Sequence, residues 1–171
     1  MGNDVLLPQP KKRWWHKLAV PMASWAVTAR IAVHAAGPLD TFLYRKTGGR
    51  MTLSSVLAGL PVILVTTTGA KSGQPRTVPL LGIPDGENII LIASNWGGRK
   101  NPAWYYNLKA NPEATVTLNG RNVLYTAREV TGEERKRCWE EATAVYPGYN
   151  AYKKRAGGRT IPVMLLSSKT T

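Results

Sequence analysis

From Pro61 onward the chain is written in short apolar and β-branched runs, each closed by turn formers, and this spacing most limits what it can fold into. The clearest run is Pro61-Val62-Ile63-Leu64-Val65-Thr66-Thr67-Thr68, whose branched side chains suit a pleated surface and which Gly69 to Pro75 then stop. Arg76 to Ile83 reads as a second strand and Asn88 to Ser94 as a third, with Pro84-Asp85-Gly86-Glu87 as the hairpin turn between them. Glu113 to Leu118 and Asn122 to Val130 form a further pair around Asn119-Gly120, and Thr160 to Ser167 is a last strand. Six short strands without a strand–helix–strand repeat predict an α+β, mainly β domain built on a small antiparallel barrel. Two helices interrupt it. One is short, over Pro102 to Ala110. The other starts at Thr131, where Thr131-Gly132-Glu133-Glu134 reads as a capping box, and runs to Val145, burying Cys138, Trp139 and Ala142.

The scarce residues exclude several chemistries. A single cysteine, Cys138, rules out an intrachain disulfide. The two histidines, His16 and His34, both precede the strand-rich part, so no zinc site of clustered Cys and His is expected, and no metal site at all. A Ser-His or Cys-His nucleophile would have to borrow a histidine from the N-terminal segment. An enzyme of this composition is therefore expected to use a bound cofactor for its chemistry. The formal charge of +13 asks for an anionic partner: nucleic acid, anionic lipid or a polyanionic small molecule.

That charge is uneven. Residues 1–50 hold eight basic and two acidic side chains, and they read as a basic helical arm ahead of a domain over 51–171. Lys11-Lys12-Arg13-Trp14-Trp15-His16-Lys17 leads into a small-residue, apolar stretch, with a helix expected over 22–35 after Pro21 and a second over Leu39 to Arg45. The uncharged run Leu18 to Ala29 is too short to span a bilayer, which needs about 20 residues. Tryptophans beside Lys and Arg on a modest apolar face suit an anionic membrane surface through residues 11–36; a helix packed on the domain is the alternative. A secretory signal is the lesser reading, because Trp14, Trp15 and Trp25 are unusual there and no clear cleavage site follows. The expected location is the cytoplasm, peripheral on the inner face of the plasma membrane if the arm binds lipid.

Two loops carry candidate anion-binding groups. In Gly69-Ala70-Lys71-Ser72-Gly73-Gln74-Pro75-Arg76, glycines permit a tight turn while Lys71, Ser72 and Arg76 supply donors. The order is not that of a phosphate loop of the Walker type, and an ordinary basic hairpin is the alternative. In Asn95-Trp96-Gly97-Gly98-Arg99-Lys100-Asn101-Pro102, Asn101 is placed to cap the following helix and Pro102 to begin it. Arg99 and Lys100 stand just before a terminus that favours anions. Trp104 on that helix is the ring expected beside a ligand. Tyr146, Tyr149 and Tyr152 recur at spacing three, so Tyr149 and Tyr152 share a face of a new helical turn and the three phenols can roof an apolar site. Core packing is the alternative for them. Lys153-Lys154-Arg155 then adds a basic rim.

In this order the pieces resemble the deazaflavin-dependent nitroreductase family. The likeness runs over residues 60–165 through Thr66-Thr67-Thr68-Gly69, Lys71-Ser72-Gly73-Gln74-Pro75-Arg76, Pro79-Leu80, Ala93-Ser94, Asn101-Pro102-Ala103-Trp104-Tyr105-Tyr106-Asn107-Leu108, Ala110-Asn111-Pro112 and Thr160-Ile161-Pro162-Val163. The resemblance implies a six-stranded split β-barrel of the FMN-binding type that holds coenzyme F420, whose phosphodiester and polyglutamate tail are anionic. It assigns cofactor contacts to Lys71, Ser72, Gly73, Arg76, Pro79, Asn95, Trp96, Gly97, Arg99, Lys100, Asn101 and Trp104. Ser94 and the three tyrosines, Tyr146, Tyr149 and Tyr152, fall to the ring and substrate region as catalytic candidates. The implied activity is hydride transfer from the reduced deazaflavin to an electron-poor acceptor such as a quinone, an enone or a nitro compound. An FMN-using relative with the same barrel is the alternative. Many members have Arg where this chain has Ala70, and drug-activating members have Tyr at Leu81 and Lys at Asn95. These departures bear on nitroimidazole reduction more than on cofactor binding. A nucleic-acid binder is not expected, since the strands lack aromatics interleaved with charge.

Overall fold

The computed structural model describes residues 60–118 and 121–169. The expected arm over 1–50, its two helices and the Asn119-Gly120 turn lie outside the described residues. In chain order the elements are β1 (Val62–Thr68), β2 (Pro75–Leu81), β3 (Ile83–Asp85), β4 (Asn88–Ile92), one 3-10 turn (Asn95–Gly97), α1 (Ala103–Ala110), β5 (Glu113–Leu118), β6 (Arg121–Glu129), α2 (Gly132–Val145), α3 (Gly148–Arg155) and β7 (Val163–Ser168).

All strand pairings are antiparallel, in the order β2-β1-β5-β6-β7-β4-β3. Its two outermost strands, β2 and β3, are one residue apart in sequence. The sheet must therefore curl until its edges meet at that residue, Gly82, which gives the split β-barrel. The expected single strand from Arg76 to Ile83 is in fact two, so seven strands are described rather than six. The cause is local. The Gly82 N–H donates to the Pro61 carbonyl at 2.9 Å, and a Cβ there would come within 2.7 Å of the Ile63 side chain. Only glycine turns this corner without displacing the core.

Two apolar layers follow from the pleat, because successive side chains leave opposite faces. Ile63 and Val65 of β1, Ile89 and Leu91 of β4, and Met164 and Leu166 of β7 fill the barrel, and Trp104 and Leu108 of α1 close it. Ile90, Ile92, Val163 and Leu165 leave the same two strands outward and pack under α2 and α3 against Cys138, Ala142 and the three tyrosines. β4 and β7 are thus buried on both faces, which explains their unbroken apolar sequences. Each fully buried aliphatic contributes about 1.5–3 kcal/mol.

Two local expectations are corrected. Thr131 stands at the N-cap of α2 but makes no side-chain cap bond, and Glu134 instead accepts from both Arg128 guanidinium nitrogens. The strand guanidinium offers charged donors where the cap offers one amide. Trp139 is half-buried at the rim of the outer layer, with Arg135 and Lys153 over its ring, rather than wholly in the core.

Candidate functional site

The first cationic loop is a folded hairpin tip. Gly69 N donates to the Gln74 carbonyl at 2.9 Å, and Gly73, at φ 64, donates to the Gly69 carbonyl at 2.8 Å. The Ser72 hydroxyl accepts from the Gln74 N–H at 3.3 Å. Lys71, Ser72, Gly73 and Arg76 are all exposed, while Pro79 is half-buried further along β2, opposite Leu64. The loop is fastened from below by a residue to which the sequence reading gave no role. Asn107, buried in α1, accepts from the Ala70 N–H and donates to the Thr67 hydroxyl, both at 3.0 Å. Asparagine is a poor residue for a helix interior, and that mismatch was the available signal.

The second loop, between β4 and α1, is held in a rarer conformation. Asn95, Trp96 and Gly97 have φ of 46, 56 and 81, three left-handed residues in succession. Asn95 donates its side-chain amide to the Lys100 carbonyl at 2.9 Å, which closes the loop on itself. Gly97 lies flat on α3, where a Cβ would come within 2.8 Å of the Tyr152 carbonyl oxygen. Arg99 and Lys100 are exposed, and Ser94 is buried. Asn101 does not cap α1. Pro102 holds the cap position in an extended conformation, and the Asn101 side-chain oxygen accepts from Arg159 instead. Arg159 is the second residue that sequence reading missed, and nothing local marks it except two glycines before it.

The tyrosines form one cluster. Tyr146 and Tyr152 share a hydrogen bond between their hydroxyls at 2.8 Å, and Tyr149 meets both rings edge-on at 5.2 and 6.0 Å. All three are buried. Burial raises all three phenols above the ordinary tyrosine value. They therefore stay protonated across the neutral range. Trp96, 38% exposed, stands against Tyr152 with ring centres 5.9 Å apart, so the second loop and the aromatic cluster form one continuous surface. Of the basic rim, Lys153 and Lys154 are exposed, whereas Arg155 lies 4.9 Å over the Tyr152 ring and donates to the Trp96 carbonyl at 3.3 Å. Trp104 points into the barrel core beside Leu108 and is buried.

The two cationic loops meet at α1. Its first turn follows the Ala93–Asn101 loop, and Asn107 ties its later turn to the hairpin tip; at 1.5 Å per residue, about 6 Å of helix axis separates Ala103 from Asn107. Among the described residues the ion pairs use Lys109, Arg128, Lys136, Arg137 and Lys169, and none includes Lys71, Arg76, Arg99 or Lys100. No group of three or more His, Cys, Asp or Glu side chains is gathered for a metal among the described residues. The arrangement suits a ligand with separate anionic groups and an apolar, planar portion.

The chain is similar to known proteins over this region. Residues 39–168 match the model of the F420H(2)-dependent quinone reductase family. An F420H(2)-dependent quinone reductase from Mycobacterium tuberculosis (strain ATCC 25618 / H37Rv) is 34% identical over 134 residues, covering 77% of this chain and 89% of that protein. A solved F420-H2 dependent reductase, FDR-A, is 42% identical over 63% of this chain and 94% of its own, with a TM-score of 0.58. A structure described as a domain-swapped dimer is 37% identical over 74% of this chain and 93% of its own, with a TM-score of 0.61. The match spans the barrel, both cationic loops and the tyrosine helix, and by it the chain belongs to the F420H(2)-dependent quinone reductase family.

Proposed function

We propose that this protein reduces quinones with F420H2, and that Lys71, Arg76, Arg99 and Lys100 hold the coenzyme's anionic groups. The observation that carries the assignment of residues is the pair of exposed cationic loops fastened to one helix, with no carboxylate partner for these four side chains among the described residues. That donor set fits a coenzyme with a phosphodiester and an acidic tail. The Mycobacterium tuberculosis relative and FDR-A are named as F420H2-dependent reductases, which leaves the FMN alternative without support.

When bound, the reduced deazaflavin supplies a hydride, and the quinone needs one proton besides. The chain's own share is to orient and to exclude water. Trp96 and Tyr152 form an apolar wall next to the cationic loop, and Ser94 lies buried at that loop's start. The tyrosine hydroxyls act as hydrogen-bond donors at neutral pH rather than as acids, because burial disfavours their anions. The proton is then drawn from water, and the phenols fix the acceptor's orientation.

The test is binding first and turnover second. Replacing Lys71 and Arg76 together by Ala is expected to weaken coenzyme binding about 10- to 100-fold in a fluorescence titration, the loss of one or two charged hydrogen bonds. Unchanged affinity would remove these residues from the site. Turnover of F420H2 is then compared across quinones, enones and nitroimidazoles, with quinones expected to be fastest. We further propose that the segment over 11–36 attaches the enzyme to an anionic membrane from the cytoplasmic side. The four basic side chains that lead it, Lys11, Lys12, Arg13 and Lys17, with Arg30 further on, and its tryptophans support that reading, as does the lipid solubility of apolar quinones.

A further inference from the structure

The turn between α3 and β7 delivers one half-buried cation to the second loop. α3 ends at Arg155, and Gly157 and Gly158 follow with φ of 63 and 86. Two left-handed residues in succession turn the chain back, and Arg159 reaches the Ala93–Asn101 loop. Its Nε donates to the Gly98 carbonyl at 3.0 Å, and its Nη2 to the Ser94 carbonyl at 2.9 Å. Its Nη1 donates to the Ala93 carbonyl at 3.4 Å and to the Asn101 side-chain oxygen. One guanidinium thus ties both ends and the middle of a loop that is about sixty residues away in sequence. All four acceptors are neutral, and among the described residues no ion pair includes Arg159.

The loop needs such a tie. Asn95 and Trp96 adopt the left-handed conformation that residues with a Cβ seldom take; asparagine tolerates it better than most, but the bulky Trp96 does not. Without the guanidinium the Ala93 and Gly98 carbonyls lose this donor and the Ser94 carbonyl keeps only the Gly97 N–H at 2.9 Å, which lets the segment relax. A planar fork with donors at fixed angles can satisfy several carbonyls at once; an ammonium cannot reproduce that pattern.

We propose that Arg159 is a positioning residue: its guanidinium holds the Ala93–Asn101 loop in the shape that presents Arg99 and Lys100 to the coenzyme. The proposal rests on the reading of that loop as a coenzyme site. Its charge, unmatched by any carboxylate among the described residues, also adds to the positive field there, but the geometry of the fork is what the loop requires. Charge and geometry are separable by substitution.

Arg159→Lys keeps the charge and loses the fork, and Arg159→Gln loses both. The first readout is native-state trypsin digestion with the cuts mapped by mass, since Arg99 and Lys100 are themselves trypsin sites. Both variants are expected to be cut at Arg99 and Lys100 about tenfold faster than the wild type, the loss of at least one charged hydrogen bond, with cutting at Lys71 and Arg76 unchanged. The second readout is coenzyme affinity by fluorescence, expected to fall about tenfold in both variants alike. Cutting at Arg99 and Lys100 no faster than in wild type overturns the proposal. So does cutting that rises equally at every site, which marks general loss of fold. Wild-type affinity in Arg159→Lys reduces Arg159 to a charge and also overturns it. Wild-type protein that fails to bind the coenzyme overturns the reading of the site, and the digestion then still decides whether Arg159 holds the loop.

Discussion

The Tyr146–Tyr152 hydroxyl pair is a buried polar contact whose value lies in neither partner alone. Removing one hydroxyl leaves the other buried without it, at a cost of about 1–3 kcal/mol, whereas removing both leaves an apolar cluster of the same shape. Tyr146→Phe and Tyr152→Phe are therefore each expected to lower stability in urea. The double variant should lose clearly less than the two together. Strict additivity would deny the coupling. The same phenols set the alkaline limit. Burial raises them in the native state, so the folded chain keeps protons that the unfolded chain releases. Their contribution is complete below about pH 10, the unfolded value, and is lost as pH rises beyond it. Burial raises Cys138 in the same direction. At this scale the sequence was readable where residues were near one another: Tyr149 and Tyr152 at spacing three do share one buried helix face. It was not readable for Arg159, whose partners depend on where two left-handed glycines aim the chain, or for Trp104, since nothing local separates a ring that closes a barrel from one that borders a ligand.

At the scale of elements, the barrel could be read because each strand announces its own burial. β5 alternates buried and half-buried residues from Ala114 to Val116, while β4 and β7 are apolar throughout because helices cover their outer face. The break at Gly82 could not be read, because a strand that continues and a strand that changes edge look alike until Ile63 is placed opposite the corner. What joins elements to one another is also non-local. Asn107 fastens α1 to the β1–β2 tip with one amide, and Tyr105 and Lys109 fasten the same helix to Glu129 of β6. Asn107→Ala leaves the Ala70 N–H and the Thr67 hydroxyl without that partner. It should lower stability by about 1–3 kcal/mol and weaken coenzyme binding as the hairpin tip loosens. A variant with full coenzyme affinity and an unchanged urea midpoint would remove Asn107 from both roles.

For the whole molecule, the question is where a charge of +13 is directed. Within the described residues, most acidic side chains are engaged in ion pairs, among them Asp85 with Arg137, Glu129 with Lys109 and Glu134 with Arg128. Of the described cations outside these ion pairs, Lys71, Arg76, Arg99 and Lys100 stand on the two loops and Lys153 and Lys154 on α3, while Arg121 and Arg135 stand elsewhere, so much of the domain's excess lies on the two loops and α3. Residues 1–50 carry a separate excess, eight basic against two acidic, and composition alone could not divide the two. Separation along the sequence makes them independently testable. Each Lys or Arg near an anionic bilayer contributes about 1 kcal/mol, so Lys11, Lys12, Arg13 and Lys17 together are worth about 4 kcal/mol, roughly a thousandfold in partitioning. The full chain is expected to float with vesicles of phosphatidylserine and phosphatidylcholine at low salt, and to stay down with phosphatidylcholine alone. Replacing the four basic residues by Ala should abolish flotation and leave coenzyme affinity intact, whereas Lys71→Ala with Arg76→Ala should do the reverse. If the fourfold variant floats like wild type, or if the loop variant alone stays down, lipid is held by the domain's own cations and the division into two patches fails.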